Sequence, residues 1–241
     1  MSELEDWEQL VKKQLKTENI YEILQKENLE NIDVKPYYHN NSEYKLLPKV
    51  EESTHLVAEY QEGLEDQAFA FLLNENVENL DEKSIFINNA ELSEHILTEE
   101  SNRYFSLIDV FSDDQKAEIN EHLAGELLSK SFDRNICIDV SLHQNSGASI
   151  IQQLGFALAK SKELVEKFGS EILDKLIFKF AVGSQHFFEI AKVRAFKYLF
   201  NQFSKEFGKN LIPYIFVETS LRNKSKNDQD NNLIRSTLEL A

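Results

Sequence analysis

The chain has 241 residues, of which 41% are hydrophobic and 28% are charged, a balance typical of a globular protein with a sizeable core. Its net charge is −16 at pH 7, and the charge is unevenly distributed. Residues 1–132 carry 30 acids and 11 bases, whereas residues 133–241 carry 12 acids and 15 bases. The first half therefore lacks the basic face that binds nucleic acid. We interpret it as a solvated surface, with an acidic docking patch as the alternative.

Membrane insertion and secretion are not indicated by the sequence. No apolar run approaches the roughly 18 to 20 residues of a membrane span, and the N-terminus is acidic where a secretion signal is basic. We therefore expect a cytoplasmic protein. The single cysteine, Cys137, lies inside an apolar segment and is predicted to be a buried small hydrophobe.

The first 50 residues form the first predicted region. Ser2–Glu5 fits a capping box and begins a predicted helix of about fourteen residues. Tyr21–Val50 then loses periodicity and contains Pro36 and Pro48. Because proline fixes its own φ and donates no hydrogen bond, we predict an extended arm that lies across a partner. Residues 1–50 are thus a helix and arm, and residues 51–241 a second domain.

The second domain shows about six predicted strands, at residues 68–73, 84–88, 103–111, 135–141, 176–182 and 211–219. The last three lie about forty residues apart, the spacing of strand and helix units in a parallel sheet. Helices are predicted from the capping box at Ser112–Gln115, over 184–207 and over 231–240. Phe168-Gly169 and Phe207-Gly208 are expected to end helices with a left-handed glycine. The pattern predicts α/β architecture.

The predicted helix over 184–207 has an unusually wide apolar stripe. It carries six phenylalanines, at positions 187, 188, 196, 200, 203 and 207. Two interpretations remain open. The stripe either packs into a thick core, or part of it meets a second protein chain.

Several segments carry a family resemblance. Ile136–Ala148, Phe178–Ala195 and Glu218–Asn223 with Asn231–Thr237 resemble methylmalonyl-CoA mutase, and more narrowly the small subunits of the bacterial heterodimeric enzyme. Asn31–Tyr38 is similar to the arm that precedes the barrel in this family. The middle of the chain is shortened relative to the family.

The resemblance implies a fold and an assembly. The fold is a TIM-type (β/α) barrel, here incomplete with about six βα units, and without the family's C-terminal cobalamin-binding domain. The activity is that of an isomerase of propionate metabolism, which interconverts methylmalonyl-CoA and succinyl-CoA by an adenosylcobalamin radical mechanism. In the family, the large subunit binds the coenzyme A ester and the cofactor. The resemblance implies that this chain is a non-catalytic scaffold in a heterodimer with that subunit and binds no cofactor itself.

The resemblance also identifies where catalytic residues would stand. Catalytic members carry a Tyr-His pair before a Gln-Glu-Ala-Gly-Ala segment, and Ser141 and Leu142 occupy those two places here. Leucine cannot donate the hydrogen bond that polarises the substrate carbonyl, so no catalytic residue is predicted. Strand alternation would send His143 to the opposite face, although a one-residue slip would restore it.

Metal binding is not indicated. The Asp-x-His-x-x-Gly signature that supplies the lower cobalt ligand is missing from the sequence. The six histidines are scattered without the spacing of metal ligands, so no metal site is predicted.

Polar residues follow the last three predicted strands. In a barrel such positions share the mouth where active sites are built. They are expected to cap helices and tie loops together in a vestigial mouth; the alternative is a residual small-molecule or coenzyme A-like ligand. The residues are Ser141, Gln144, Asn145, Ser184, Gln185, Glu218, Thr219, Ser220, Arg222 and Asn223.

Six strands do not close an eight-stranded barrel. We expect either that the chain is a truncated reading frame or that a partner covers the gap. Two further hypotheses stay open, that the chain is an active isomerase in its own right and that it is a fragment without independent function.

Overall fold

A computed structural model describes residues 3–27, 33–38, 54–63, 66, 68–75, 83–91, 103–112 and 117–240. The chain forms two compact units, Met1–Pro48 and Lys49–Ala241. None of the helices in these described ranges combines the length and the apolar character that crossing a membrane requires.

The first unit begins with helix α1, Glu3–Leu15, which confirms the first predicted helix. Acids in its first turn and lysines in its last turn complement the helix dipole. The prediction of an unpacked arm from Tyr21 is wrong at its start, because helix α2, Ile20–Leu24, forms there. An antiparallel ladder of β1, Lys26–Glu27, and β2, Asp33–Val34, follows. The remainder of the predicted arm, from residue 39, lies outside the described residues.

Seven parallel strands make up the sheet of the second unit as far as it is described. They are β3 Val57–Glu59, β4 Ala70–Leu73, β5 Ser84–Ile87, β6 Tyr104–Ser106, β7 Ile136–Asp139, β8 Leu176–Val182 and β9 Tyr214–Thr219. Strands β3 to β6 are neighbours in chain order, and so are β7 to β9. Parallel bridges join the two groups, with Ser106 N donating to Arg134 O at 2.9 Å and Cys137 N donating to Ile108 O at 3.0 Å. The predicted parallel α/β architecture is confirmed.

Two strand predictions need correction. The prediction of about six strands missed β3, whose three residues are too few to show a period. The predicted strand over 103–111 is shorter, since regular pairing in β6 ends at Ser106.

The helix predicted from Ser112 also begins later than expected. Ile119 forms an antiparallel bridge with Phe111, and Asn120 N donates to Val110 O at 2.8 Å. Helix α3, Glu121–Ser129, begins only after this turn, and Asn120 Oδ1 caps it by accepting from Leu123 N at 3.1 Å. Residues 117–120 are therefore not part of the helix.

The remaining helices are α4 Ser141–Asn145, α5 Ile150–Phe168, α6 His186–Glu206 and α7 Gln229–Leu240, with a 3₁₀ helix at Ser170–Lys175 between α5 and β8. The predicted helix ends are confirmed. Gly169 and Gly208 have φ of 84° and 73°, a region that glycine adopts without a steric penalty. With a ψ of 169°, Gly169 is not in the left-handed helical conformation that the sequence suggested.

Apolar side chains cover both faces of the strands. On one face, Phe178 and Phe180 of β8 pack edge-on against Phe196 of α6, with ring centroids 4.7 and 4.9 Å apart. On the other face, which we call the inner face, Phe86 of β5 contacts Phe216 of β9 at 5.3 Å. The inner-face cluster includes Cys137, which confirms that the cysteine is a buried hydrophobe. Burial on both faces explains the continuous apolar runs of these strands.

Candidate functional site

The turns that follow β7, β8 and β9 lie beside one another. Asn145 Oδ1 accepts hydrogen bonds from Ser220 Oγ at 3.2 Å and from Leu221 N at 2.9 Å, which links the first turn to the third. A Cβ atom placed on Gly183 in the second turn would lie 3.4 Å from Gln144 Nε2 and 4.0 Å from Ser220 Cβ. The carboxyl ends of the strands therefore bring Gln144, Asn145 and Ser220 together.

The other predicted mouth residues have different surroundings. Ser184 and Gln185 are exposed, and the Gln185 side chain makes no capping hydrogen bond to α6. Arg222 is exposed, whereas Thr219 is half-buried at the end of β9. Asn223 turns toward α7, where its side chain donates to Glu239. Of these five residues, Arg222 contacts this group through its backbone N, which donates to Ser220 Oγ at 3.2 Å.

A row of charged side chains crosses the inner face at the carboxyl ends of the strands. Lys179 Nζ of β8 lies 3.1 Å from Asp139 Oδ2 of β7 and 3.1 Å from Glu218 Oε2 of β9. Asp109 accepts from Asp139 N at 2.9 Å and from Lys160 Nζ of α5 at 2.7 Å. We call these five residues, Asp109, Asp139, Lys160, Lys179 and Glu218, the ion layer. It sits directly above the apolar inner-face cluster, because Cys137 and Ile177 precede Asp139 and Lys179 by two residues on the same face.

Electrostatics in the ion layer favour the charged state of its central lysine. Burial lowers the pKa of Lys179, but Asp139 and Glu218 raise it by more, so its pKa lies above the ordinary value. Burial, with Asp139 and Asp109 adding to it, raises the pKa of the Cys137 thiol well above its usual range. The lysine is thus a fixed cation, and the thiol is not an activated nucleophile.

The places of the catalytic Tyr-His pair hold residues with structural contacts. Ser141 is buried, and its Oγ donates to Asp139 Oδ1 at 2.6 Å. Leu142 is 50% exposed. The expectation that strand alternation governs His143 is wrong, because residues 141–145 form α4 and are not a strand. The His143 ring instead lies 4.4 Å from the Phe156 ring of α5, and burial and Lys160 lower its pKa.

A second buried polar group, the Lys192 network, lies between α5 and α6. The Lys192 side chain is fully buried and pairs with Glu189 one turn earlier. Its Nζ also donates to Ala181 O at 2.7 Å and to Gln153 Oε1 at 3.1 Å, and Gln153 donates in turn to Gln144. Burial lowers the pKa of Lys192, while Glu189 opposes that shift. The network holds α4, α5 and α6 against the end of β8.

Sequence reasoning missed most of the ion layer, naming only Glu218. A usable signal was nevertheless present. Asp139 and Lys179 are the single charged residues of two otherwise apolar strands. Because side chains alternate between the two faces of a strand, both can be assigned to a face, and it is the same face. Because an unpaired buried charge is costly, such residues indicate a partner on the neighbouring strand.

Chemically, the ion layer is internally satisfied. Each lysine contacts at least one carboxylate, and both Asp139 oxygens are engaged, by Ser141 and by Lys179. Such groups hold neighbouring strands together and are poorly suited to transfer a proton or to bind a ligand.

Comparison with known proteins gives matches to one family. The profile of the methylmalonyl-CoA mutase family matches residues 128–241, a little under half of the chain. The methylmalonyl-CoA mutase small subunit of Porphyromonas gingivalis is 38% identical over 106 residues, covering 39% of this chain and 17% of the relative. The methylmalonyl-CoA mutase of Rhizobium meliloti is 31% identical over 133 residues, covering 51% of this chain and 18% of the relative. The matched part thus spans less than a fifth of the length of these relatives.

Proposed function

We propose that the chain, whose residues 128–241 match the methylmalonyl-CoA mutase family, acts as a non-catalytic small subunit of such a mutase. In this proposal the chain supports a catalytic large subunit, which carries the coenzyme A ester and adenosylcobalamin. The assembled enzyme interconverts methylmalonyl-CoA and succinyl-CoA. The relative from Porphyromonas gingivalis, which is named as a small subunit, favours this assignment over that of a complete enzyme.

The ion layer is the observation that carries the proposal. In a barrel enzyme, side chains at the carboxyl ends of the strands act on the substrate. Here Asp139, Lys179 and Glu218 act on one another across three neighbouring strands. Ser141 is bound to Asp139, and Leu142 offers no hydrogen bond donor beside it. These contacts stabilise the fold and engage the described charged side chains at the ends of β7, β8 and β9 with one another, which supports a role other than polarising a thioester carbonyl.

We infer that the seven parallel strands are part of a TIM-type barrel. Strands that neighbour each other in chain order, with helices between them, are typical of that fold. The contact of Phe86 with Phe216 supports a curved sheet, because β5 and β9 are separated by three intervening strands. Aromatic side chains, including Phe105 and Tyr214 at 5.1 Å, fill the inner face where a substrate chain would run.

The described residues do not fit a cobalamin cofactor. A lower cobalt ligand requires an accessible histidine held by a carboxylate. His143 packs on Phe156, and His122 is exposed and pairs with Glu126 of its own helix, with 3.6 Å between Nδ1 and Oε2. We therefore assign the cofactor to the partner subunit and derive no step through it in this chain.

An experiment with the two subunits tests the proposal. We expect the chain, co-expressed with a mutase large subunit from the same source, to co-elute with it in size-exclusion chromatography. The purified chain alone should show no turnover of methylmalonyl-CoA with adenosylcobalamin, and Lys179→Met should not change that. Turnover by the chain alone would establish the active-isomerase alternative. Separate elution of the two proteins would favour a fragment without independent function.

A further inference from the structure

The turns after β7, β8 and β9 present large apolar side chains to solvent. Leu142 is 50% exposed, Phe187 is 83% exposed and Leu221 is 69% exposed, one in each turn. The turns are in mutual contact through Asn145 and Gly183, so these side chains share one end of the sheet. A group of exposed large apolar side chains is typical of surfaces that bind a macromolecule.

The same three turns differ in charge from the rest of the chain. Residues 140–149, 183–188 and 220–227 contain no aspartate or glutamate, although the chain has 42 acids in total. The turn after β9 carries Arg222, Lys224 and Lys226. Lys224 is paired with Glu239, whereas Arg222 and Lys226 have exposed side chains. The ion layer below contains three acids and two lysines and is nearly neutral.

We propose that these turns form a docking surface for an acidic polypeptide segment with large apolar side chains, contributed by the large subunit. We call this surface the βα rim and define it by Leu142, His186, Phe187, Leu221, Arg222 and Lys226. The inference rests on the proposed function for the identity of the partner. The chemistry of the partner segment follows from the rim itself, since exposed apolar side chains bury against apolar ones and exposed cations favour carboxylates.

A second copy of this chain is a poorer occupant than the large subunit. Each copy has a net charge of −16, so association of two copies is opposed by repulsion between their acidic surfaces. A small anion would engage Arg222 and Lys226 but would leave Phe187 and Leu221 exposed to water. A polypeptide segment satisfies both features of the rim.

The test measures the affinity of the full chain for the large subunit by calorimetry at 50 and 300 mM NaCl. Phe187→Ser with Leu221→Ser removes apolar anchors, and we expect the Kd to rise about tenfold or more at both salt concentrations. Arg222→Glu with Lys226→Glu reverses charge, and we expect a rise of about tenfold at 50 mM that shrinks to about threefold at 300 mM.

Matched control variants alter exposed apolar residues and exposed lysines that lie outside the βα rim. Leu233→Ser with Leu238→Ser alters exposed apolar residues of α7, and Lys197→Glu with Lys205→Glu reverses exposed lysines of α6. We expect both to change the Kd less than about twofold. Circular dichroism and urea midpoints verify that every variant is folded.

Three outcomes would overturn the inference. If the rim variants bind the large subunit as tightly as the unaltered chain, the rim is not the interface, although the proposed function stands. If the unaltered chain does not bind the large subunit at all, the proposed function fails together with the rim. If the chain alone is a dimer by light scattering and the rim variants are monomers, the occupant is a second copy.

Discussion

The ion layer and the Lys192 network are two buried polar groups, and the pKa values of their central lysines, Lys179 and Lys192, shift in opposite directions. Lys179 is flanked by Asp139 and Glu218 from neighbouring strands, and its pKa is raised. Lys192 is fully buried with Glu189 as its one carboxylate partner, and its pKa is lowered. Two carboxylates outweigh the cost of burying a lysine here, whereas one does not.

The ion layer and the Lys192 network also differ in which parts of the structure they connect. The ion layer crosses the sheet and keeps the strand ends charged but mutually neutralised. The Lys192 network joins α4, α5 and α6 through the hydrogen bonds of Gln153 with Lys192, Gln144 and Ala148 O. The first group determines the chemistry of the inner face, and the second determines the packing of the helices around it.

Removal of the carboxylate that supports Lys192 should have the largest effect. Glu189→Gln keeps the shape but leaves the buried ammonium without a charged partner, and we expect a loss of about 3 to 4 kcal/mol in the free energy of unfolding. The loss is limited because the lysine can deprotonate: releasing a proton at pH 7 from a group of ordinary pKa near 10.4 costs about 4.6 kcal/mol. Urea denaturation at pH 7 measures the loss in the free energy of unfolding.

A double variant isolates the charge from the packing. Glu189→Gln with Lys192→Met removes both charges, and its free energy of unfolding should lie closer to that of the unaltered chain than that of Glu189→Gln alone. A double variant no more stable than Glu189→Gln would show that the hydrogen bonds to Gln153 and Ala181 O, and not the ion pair, hold this network.

The intermediate effect is expected for the ion layer. Lys179→Met leaves Asp139 and Glu218 without their shared cation, and we expect a loss of about 2 kcal/mol at pH 7. The folded pKa of Lys179 is raised, so its contribution is fully present below the unfolded pKa near 10.4 and is lost as pH rises through the folded pKa. The difference in stability between the unaltered chain and Lys179→Met should therefore stay constant from pH 7 to about pH 10 and shrink above it.

Urea denaturation of the unaltered chain and of Lys179→Met between pH 7 and pH 11 measures how their difference in stability depends on pH. Lys192→Met provides the opposite case, since the lowered pKa of Lys192 makes its charged form a cost that diminishes as pH rises toward the unfolded pKa. Parallel profiles for the two lysine variants would contradict the distinction between the networks.

The sequence predicted the strands of the second half well because burial on both faces produces long apolar runs, as in Leu176–Val182. It failed for Val57–Glu59, which is too short for a period to appear. The partners in the ion layer could not be derived, because they depend on register. Asp139 stands directly opposite Lys179 in the parallel ladder, and a shift of one residue would place it on the other face.

Prediction of the site was limited in a similar way. The polar residues after the strands were correctly located in sequence, but only some of them meet in space. Gln144 was expected at the mouth, and its side chain also belongs to the Lys192 network through Gln153, a residue nine positions later that has no distinctive pattern. Hydrogen bonds between distant side chains leave no periodic trace in a sequence.

The smallest effect is expected for an ion pair that is exposed on both sides. Lys162 and Glu166 are paired one turn apart on α5, and both side chains are more than half exposed. Solvent screening weakens this pair, so Lys162→Ala should change the free energy of unfolding by no more than about 0.5 kcal/mol, against the several-fold larger losses in the two buried networks. Urea denaturation at 50 and 500 mM NaCl measures the change, with Lys197→Ala on α6 as a control lysine of similar exposure. A loss at Lys162 as large as that of Lys179→Met would mean that burial and the number of carboxylates do not rank these lysines, and the comparison between the two networks would lose its physical basis.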